Sequence, residues 1–249
     1  MFASQNTHLS FNTPITIPEK LLKFCYFLIT FFLLSCGNEQ RAKIDNTEQV
    51  TEESKVIENT TNSTTKIILC FGDSITAGYG LDDTNDAYPA LIQKKIDSLN
   101  LDYTVVNSGL SGETSAGGKS RIDWILNQDI DIFLLELGGN DGLRGLPLTA
   151  TRANLQAIID SVKTKRPDTT IILAGMELPP NMGQDYTSEF RNIFAELAKE
   201  NNTEFIPFIL KDVGGQPELN QSDGIHPTEE GHVIVANTVW ERLNPLLNK

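Results

Sequence analysis

The sequence predicts a three-layer α/β domain around a mostly parallel sheet, and three observations point there. From residue 66 onward, short runs rich in Ile, Val and Leu alternate with longer segments of helical period. Repeated strand-then-helix order requires right-handed crossovers, which lay helices on both faces of one sheet. A chain of 249 residues also holds one sizeable core but would be crowded by two.

The first strand falls on residues 67–71, where Ile-Ile-Leu-Cys-Phe is apolar throughout, as suits a strand covered on both faces. A helix over 88–99 follows. The second strand, 104–107, leads to a helix over 118–127, and the third, 130–137, to one over 149–164. The fourth, 170–174, precedes a helix over 188–200, and the fifth, 204–206, precedes a final helix over 228–246. No internal repeat is present. Ligands of such sheets bind beyond the carboxyl ends of the strands, so loops that follow strands are where chemistry is sought.

Two unlike stretches precede this domain of residues 66–249. Phe24 to Leu34 is an almost wholly apolar run behind Lys20 and Lys23, too short to span a bilayer comfortably and suited to a signal-peptide core. Leu33-Leu34-Ser35-Cys36-Gly37 resembles the lipobox at which bacterial lipoprotein precursors are cut and the new amino-terminal Cys is acylated. Residues 1–36 are therefore expected to be a signal ending at a lipid-attachment Cys36; a buried helix, or a plain secretory signal with a chance Cys, is the alternative. The leader before Lys20 is long and polar for a signal, so the true start is expected downstream of Met1. Residues 37–65 are Asn, Thr, Glu, Ser and Lys with few large apolar side chains, a composition expected to form a disordered acidic and polar tether.

The expected location is the bacterial cell envelope, with a lipid-anchored monomer. Cleavage removes Cys25, leaving Cys36 and Cys70, so no internal disulfide is expected. Cys70 lies inside the first strand and reads as a small core residue, not a reactive thiol. The formal net charge of -13 disfavours nucleic acid and anionic membrane surfaces, whose binding requires clustered Lys and Arg.

After the first strand comes Gly72-Asp73-Ser74-Ile75-Thr76, which puts a serine at the end of a buried strand among turn residues. Gly-Asp-Ser is also an ordinary strand-to-helix turn in which Asp or Ser caps the helix, and Asp73 reads as shaping that turn. Thr76 stands where the G-x-S-x-G elbow would need glycine. A serine hydroxyl becomes a good nucleophile only when a base takes its proton. Of three histidines, His8 is in the leader and His232 lies within the final helix as a surface or packing residue. His226 is in Asp223-Gly224-Ile225-His226-Pro227, where a carboxylate three residues earlier can reach Nδ1 and Pro227 is expected to start the helix. The alternative is a turn histidine bonded to a nearby Asp.

Acyl transfer also needs donors aimed at the oxygen that becomes negative. Gly112, in Ser111-Gly112-Glu113-Thr114, can offer an unobstructed backbone N–H, and Asn140, in Gly138-Gly139-Asn140-Asp141, a side-chain amide. Each also reads as a plain turn residue. Jointly, four separate loops each end a strand with the residue type that one mechanism requires.

Gly72-Asp73-Ser74, Gly112, Gly139-Asn140-Asp141 and Asp223-x-x-His226 together resemble the four blocks of the SGNH (GDSL-like) hydrolases, in order. Longer stretches, Leu137 to Gly145, Ser111 to Ser115 and Asp223 to Pro227, resemble its bacterial multifunctional thioesterase/lysophospholipase (arylesterase) branch. The resemblance covers residue 67 to the carboxyl terminus. It implies a catalytic triad of Ser74, Asp223 and His226, and an oxyanion hole made by the Ser74 amide, Gly112 and Asn140. It also implies a flavodoxin-like α/β/α sandwich with a five-stranded parallel sheet in the order 2-1-3-4-5. No cofactor or metal is called for. Glu113 stands where that branch often carries Asp, a change expected to be without consequence.

The implied activity is hydrolysis of esters, acyl thioesters or lysophospholipids. Leu143 to Leu148 and Leu178 to Tyr186 are expected to line the acyl cleft and to move on binding. A carbohydrate acetylesterase of the same fold, or an inactive lipid-anchored binding protein, is the alternative. A phosphate-binding loop is not: in Gly112 to Ser120, the first glycine of G-x-x-x-x-G-K-[ST] would fall at Glu113.

Overall fold

The computed structural model describes residues 65–247. The signal segment with Cys36, and the tether as far as residue 64, lie outside the described residues. Among the described residues, no helix is long and apolar enough to cross a membrane.

One sheet of five parallel strands is formed by β1 (Lys66–Gly72), β2 (Tyr103–Gly109), β3 (Ile132–Glu136), β4 (Thr170–Ala174) and β5 (Glu204–Ile206). Their order is β2-β1-β3-β4-β5, the flavodoxin-like order. The helices are α1 (Ser74–Ala77), α2 (Tyr88–Ser98), α3 (Ser115–Ile125), α4 (Gly139–Leu143), α5 (Leu148–Lys165), α6 (Gln184–Asn201) and α7 (Glu229–Leu247). α2 packs on α7, while α3 packs on α5 and α5 on α6. Every residue of β3 is buried, and β1 from Ile68 onward likewise, which is why these strands read as unbroken apolar runs.

The strand register decides where chemistry can occur. Gly72 pairs with Gly109 on one side and Glu136 on the other, Glu136 pairs with Ala174, and Ala174 with Ile206. All five strands thus end in one row. The loops after them emerge side by side along a single edge.

Helix starts depart from the expected bounds at α3, α6 and α7. α3 begins at Ser115, three residues early, because the Thr114 side chain accepts from the Gly117 amide. Gly117 and Gly118 are therefore helical, so residues 115–120 of the phosphate-loop look-alike form no phosphate-cradling loop. α6 begins at Gln184, four residues early. Pro227 does not start the last helix: it forms an isolated antiparallel bridge with Asn220, and α7 begins at Glu229, with the Thr228 hydroxyl accepting from the Gly231 amide. α1 and α4, of four and five residues, are too short to show a helical period.

His232 is a buried packing residue of α7 whose Nδ1 accepts from the Tyr88 amide at 3.3 Å. Its Nε2 has no partner among the described residues. Burial, and then the charge of His226, pulls its pKa from 6.5 down to about 4. Between those values the unfolded chain binds the proton and the folded one does not, so stability is lost as pH falls. His232→Asn keeps an acceptor for Tyr88 and removes the titration. Denaturant unfolding at pH 7, 5.5 and 4 should show the wild type losing on the order of 3 kcal/mol more than the variant across that range. Parallel pH curves for the two proteins would contradict it.

Candidate active site

Ser74 is set by the abrupt end of β1. Asp73 caps α1, its Oδ1 accepting from the Ile75 amide at 3.1 Å, so Ser74 is the first helical residue. At Gly72 a Cβ would run into the Thr76 hydroxyl and both the carbonyl and the carboxyl of Glu136, so only glycine lets the turn lie this close to β3. Glu136 holds the turn from below: its Oε2 accepts from the Thr76 hydroxyl at 2.7 Å and the Asp73 amide at 3.3 Å. From β2, Asn107 Nδ2 donates to the Thr76 carbonyl at 2.8 Å.

Ser74 is only 8% exposed, yet its Oγ lies 2.8 Å from His226 Nε2. His226 Nδ1 lies 2.7 Å from Asp223 Oδ2. Asp223 Oδ1 accepts from the amides of Ile225 and His226 at 3.0 and 3.1 Å, so one carboxylate both shapes the turn and faces the ring. Burial raises the Asp223 pKa, but these two amides and the His226 ring outweigh it and hold the carboxyl below its ordinary value. Gln221 docks this turn onto the loop that follows Ser74. Its Nε2 donates to the Tyr79 carbonyl at 2.7 Å and its amide to the His226 carbonyl at 2.7 Å.

Ser74, Gly112 and Asn140 line the same cleft. Gly112 has φ +78°, and among the described residues neither its amide nor that of Ser74 has a hydrogen-bond acceptor. Asn140 Nδ2 donates to Asp73 Oδ2 and to the Glu113 carbonyl, both at 3.1 Å. Glu113, given no role by the sequence, is buried and takes a two-pronged bond from Arg121 Nε at 2.8 and 2.9 Å. The same guanidinium donates to the Ser108 hydroxyl and carbonyl and lies over the Phe71 ring, tying the ends of β1 and β2 to the Gly112 loop. Asp141, beside Asn140, accepts from the Ser115 amide at 2.7 Å and so anchors α3 to α4.

Two carboxyls are buried behind the serine. Burial pushes Asp73 up to about 6, against the opposing pull of the Ile75 amide, Asn140, His226 and Ser74. Burial, then the Asp73 charge, pushes Glu136 well above the ordinary carboxylate range. Burial also lifts the Cys70 thiol to about 12, in keeping with a core residue and not a nucleophile.

The cleft measures about 670 Å³. Leu143, Leu178, Pro179 and Pro180 line it, from the two expected segments, whereas Leu148 and Tyr186 do not. Leu148 is instead buried in the core, and the Tyr186 hydroxyl donates to the Gly142 carbonyl, bracing α4 from α6. Sequence reasoning missed the wall after β5, formed by Phe208, Leu210, Gly214 and Gly215, and the Met176 side chain. It also missed Tyr79, which is 52% exposed and packs its ring 4.7 Å from that of His226. The available signal was position: all follow strands at the carboxyl edge. Among the described residues, no cluster of His, Cys, Asp and Glu is suited to hold a metal ion.

The model of the GDSL-like lipase/acylhydrolase family matches residues 70–234. Esterase TesA of Pseudomonas aeruginosa is 38% identical over 189 residues, covering 76% of this chain and 92% of that protein. Thioesterase 1/protease 1/lysophospholipase L1 of Escherichia coli K12 is 37% identical over 182 residues, covering 73% of this chain and 85% of that protein. A crystal structure of TesA superposes with a TM-score of 0.69 at 37% identity, over 73% of this chain and 99% of that one. With its sheet order, its four loops along one edge and this extent of similarity, the chain belongs to the GDSL-like lipase/acylhydrolase family.

Proposed function

We propose that the protein is a serine ester hydrolase that uses Ser74 as nucleophile, His226 as general base and Asp223 to orient the imidazole. The observation that carries this reading is the relay of 2.8 and 2.7 Å from Ser74 Oγ through His226 to Asp223. Asp223 at Nδ1 favours the tautomer that leaves Nε2 unprotonated toward the serine. Ser74 Oγ then attacks the substrate carbonyl as Nε2 takes its proton. Collapse of the tetrahedral adduct expels the alcohol or thiol, protonated by His226, and leaves an acyl-serine. Water, activated by the same imidazole, releases the acid and restores the hydroxyl.

The adduct's negative oxygen is assigned to the amides of Ser74 and Gly112 and to the Asn140 side chain. Among the described residues, the Ser74 and Gly112 amides have no competing acceptor. Asn140 Nδ2 carries two hydrogens: the one on Asp73 stays, and the one on the neutral Glu113 carbonyl is drawn to a charged oxygen, since charge-assisted bonds are about twice as strong. The apolar wall of Leu143, Met176, Leu178, Phe208 and Leu210 suits the acyl or aryl part of an ester, thioester or lysophospholipid. Those are the substrate classes in the names of the relatives. The wall gives a sugar-borne acetyl group no specific partner, and the intact relay favours an enzyme over an inactive binding protein. Cys36 is proposed as a lipid attachment site in the bacterial cell envelope, on the strength of the lipobox-like Leu33 to Gly37.

Ser74→Ala should abolish hydrolysis of p-nitrophenyl esters, and retained activity would contradict the assignment. Asn140→Ala should lower kcat on the order of 10²- to 10³-fold with KM little changed; a normal kcat would remove Asn140 from the mechanism. A chain-length series of p-nitrophenyl esters should favour medium or long acyl groups over acetate, whereas a sharp optimum at acetate would favour the carbohydrate acetylesterase.

A further inference from the structure

Gly112 occupies a turn with few restraints of its own. Residues 110–113 form a β-turn closed by the Glu113 amide on the Leu110 carbonyl at 3.1 Å, with Gly112 in the left-handed region that a type II turn requires. The turn is exposed at its tip, and glycine has more backbone conformations open to it than any other residue. Among the described residues, and leaving aside its chain neighbours, the single heavy atom within 4 Å of where a Cβ would stand on Gly112 is Arg144 Nη2, at 3.7 Å. That same nitrogen donates to the Gly112 carbonyl at 3.0 Å.

Arg144 ends α4, and its amide donates to the Asn140 carbonyl at 3.2 Å. Asn140 and Arg144, one helical turn apart, therefore grip successive carbonyls: Arg144 takes that of Gly112 and Asn140 that of Glu113. We propose that Arg144 is a positioning residue of the active site, holding the Gly112 turn so that its N–H stays aimed into the cleft at the oxyanion. This rests on the proposed role of Gly112. Arg144 needs no contact with substrate to act, and the exposed guanidinium is not part of the core, so its removal leaves the fold intact.

Arg144→Ala, Arg144→Lys and the wild type should be compared on a neutral monoacylglycerol and on a lysophospholipid, alongside hydrogen exchange of the Glu113 amide by NMR. The expected result for Arg144→Ala is a kcat lower by about 10- to 100-fold on both substrates, less than loss of an oxyanion donor outright, with KM little changed. Arg144→Lys, which keeps a donor, should recover part of the loss, and Glu113 exchange should speed up in Arg144→Ala alone. An unchanged kcat overturns the proposal, and so does a defect confined to KM for the lysophospholipid, which would make Arg144 a phosphate contact. Failure of the underlying reading looks different: Ser74→Ala would keep wild-type activity, while unaltered Glu113 exchange in Arg144→Ala would still refute the brace on its own.

Discussion

Ser74 and His226 are 152 residues apart in the chain, and the 2.8 Å hydrogen bond between them depends on where the strands stop. Because Gly109, Gly72, Glu136, Ala174 and Ile206 form one row, the loops after them share an edge without any long excursion. The sheet can enforce that row because its central strands are buried on both faces, where a slip in register would move every side chain into the wrong layer. The histidine turn is not on a strand end. It reaches the row through its own hydrogen bonds, through Gln221 to the Tyr79 carbonyl, and through the Asn220–Pro227 bridge.

Around that bond the protein places charge with unequal care. In front, Asp223 is partly exposed and stabilised by amides, a low-cost way to keep an ionised carboxylate beside an imidazole. Behind, Asp73 and Glu136 are buried close together, and the same burial that pushes both upward makes the pair expensive to ionise. To one side, the Arg121–Glu113 pair is almost fully covered, and removal of one partner from such a pair typically costs about 3–5 kcal/mol. Glu136, Glu113 and Arg121 do not line the cleft. They fix the peptide planes of the loops that carry Ser74, Gly112 and Asn140.

Much of this was legible in the residues. All five strands fall within two residues of their expected bounds, since buried parallel strands advertise themselves as apolar runs. Three of the four site blocks were legible as strand ends followed by a residue of distinctive chemistry; the fourth, Asp223 to His226, follows no strand and was legible from its Asp–His spacing, and Ser74, Asp223 and His226 do lie within hydrogen-bonding reach. Asp73 as a turn former and His232 as a packing residue followed from capping and helical position. Most of the misses have their physical origin in partners outside the local pattern, while the early start of α3 is a local cap by Thr114 on the Gly117 amide. Nothing local announces that Glu113 finds Arg121 eight residues on, or that Pro227 joins Asn220 before the helix can begin. The apolar wall after β5 escaped for the same reason: Phe208 and Leu210 look like any loop residues until the fold stands them opposite Leu143.

The claim at the centre is that Ser74 is made nucleophilic by His226. A fluorophosphonate tests it directly: the activated oxygen attacks phosphorus, a bond from Oγ to phosphorus forms, and fluoride leaves, so intact mass rises by one phosphonyl group. Peptide mass spectrometry should place that group on Ser74 in the wild type, with the labelling rate falling by orders of magnitude in His226→Ala. Labelling of another residue, or an equal rate without the imidazole, would contradict the account.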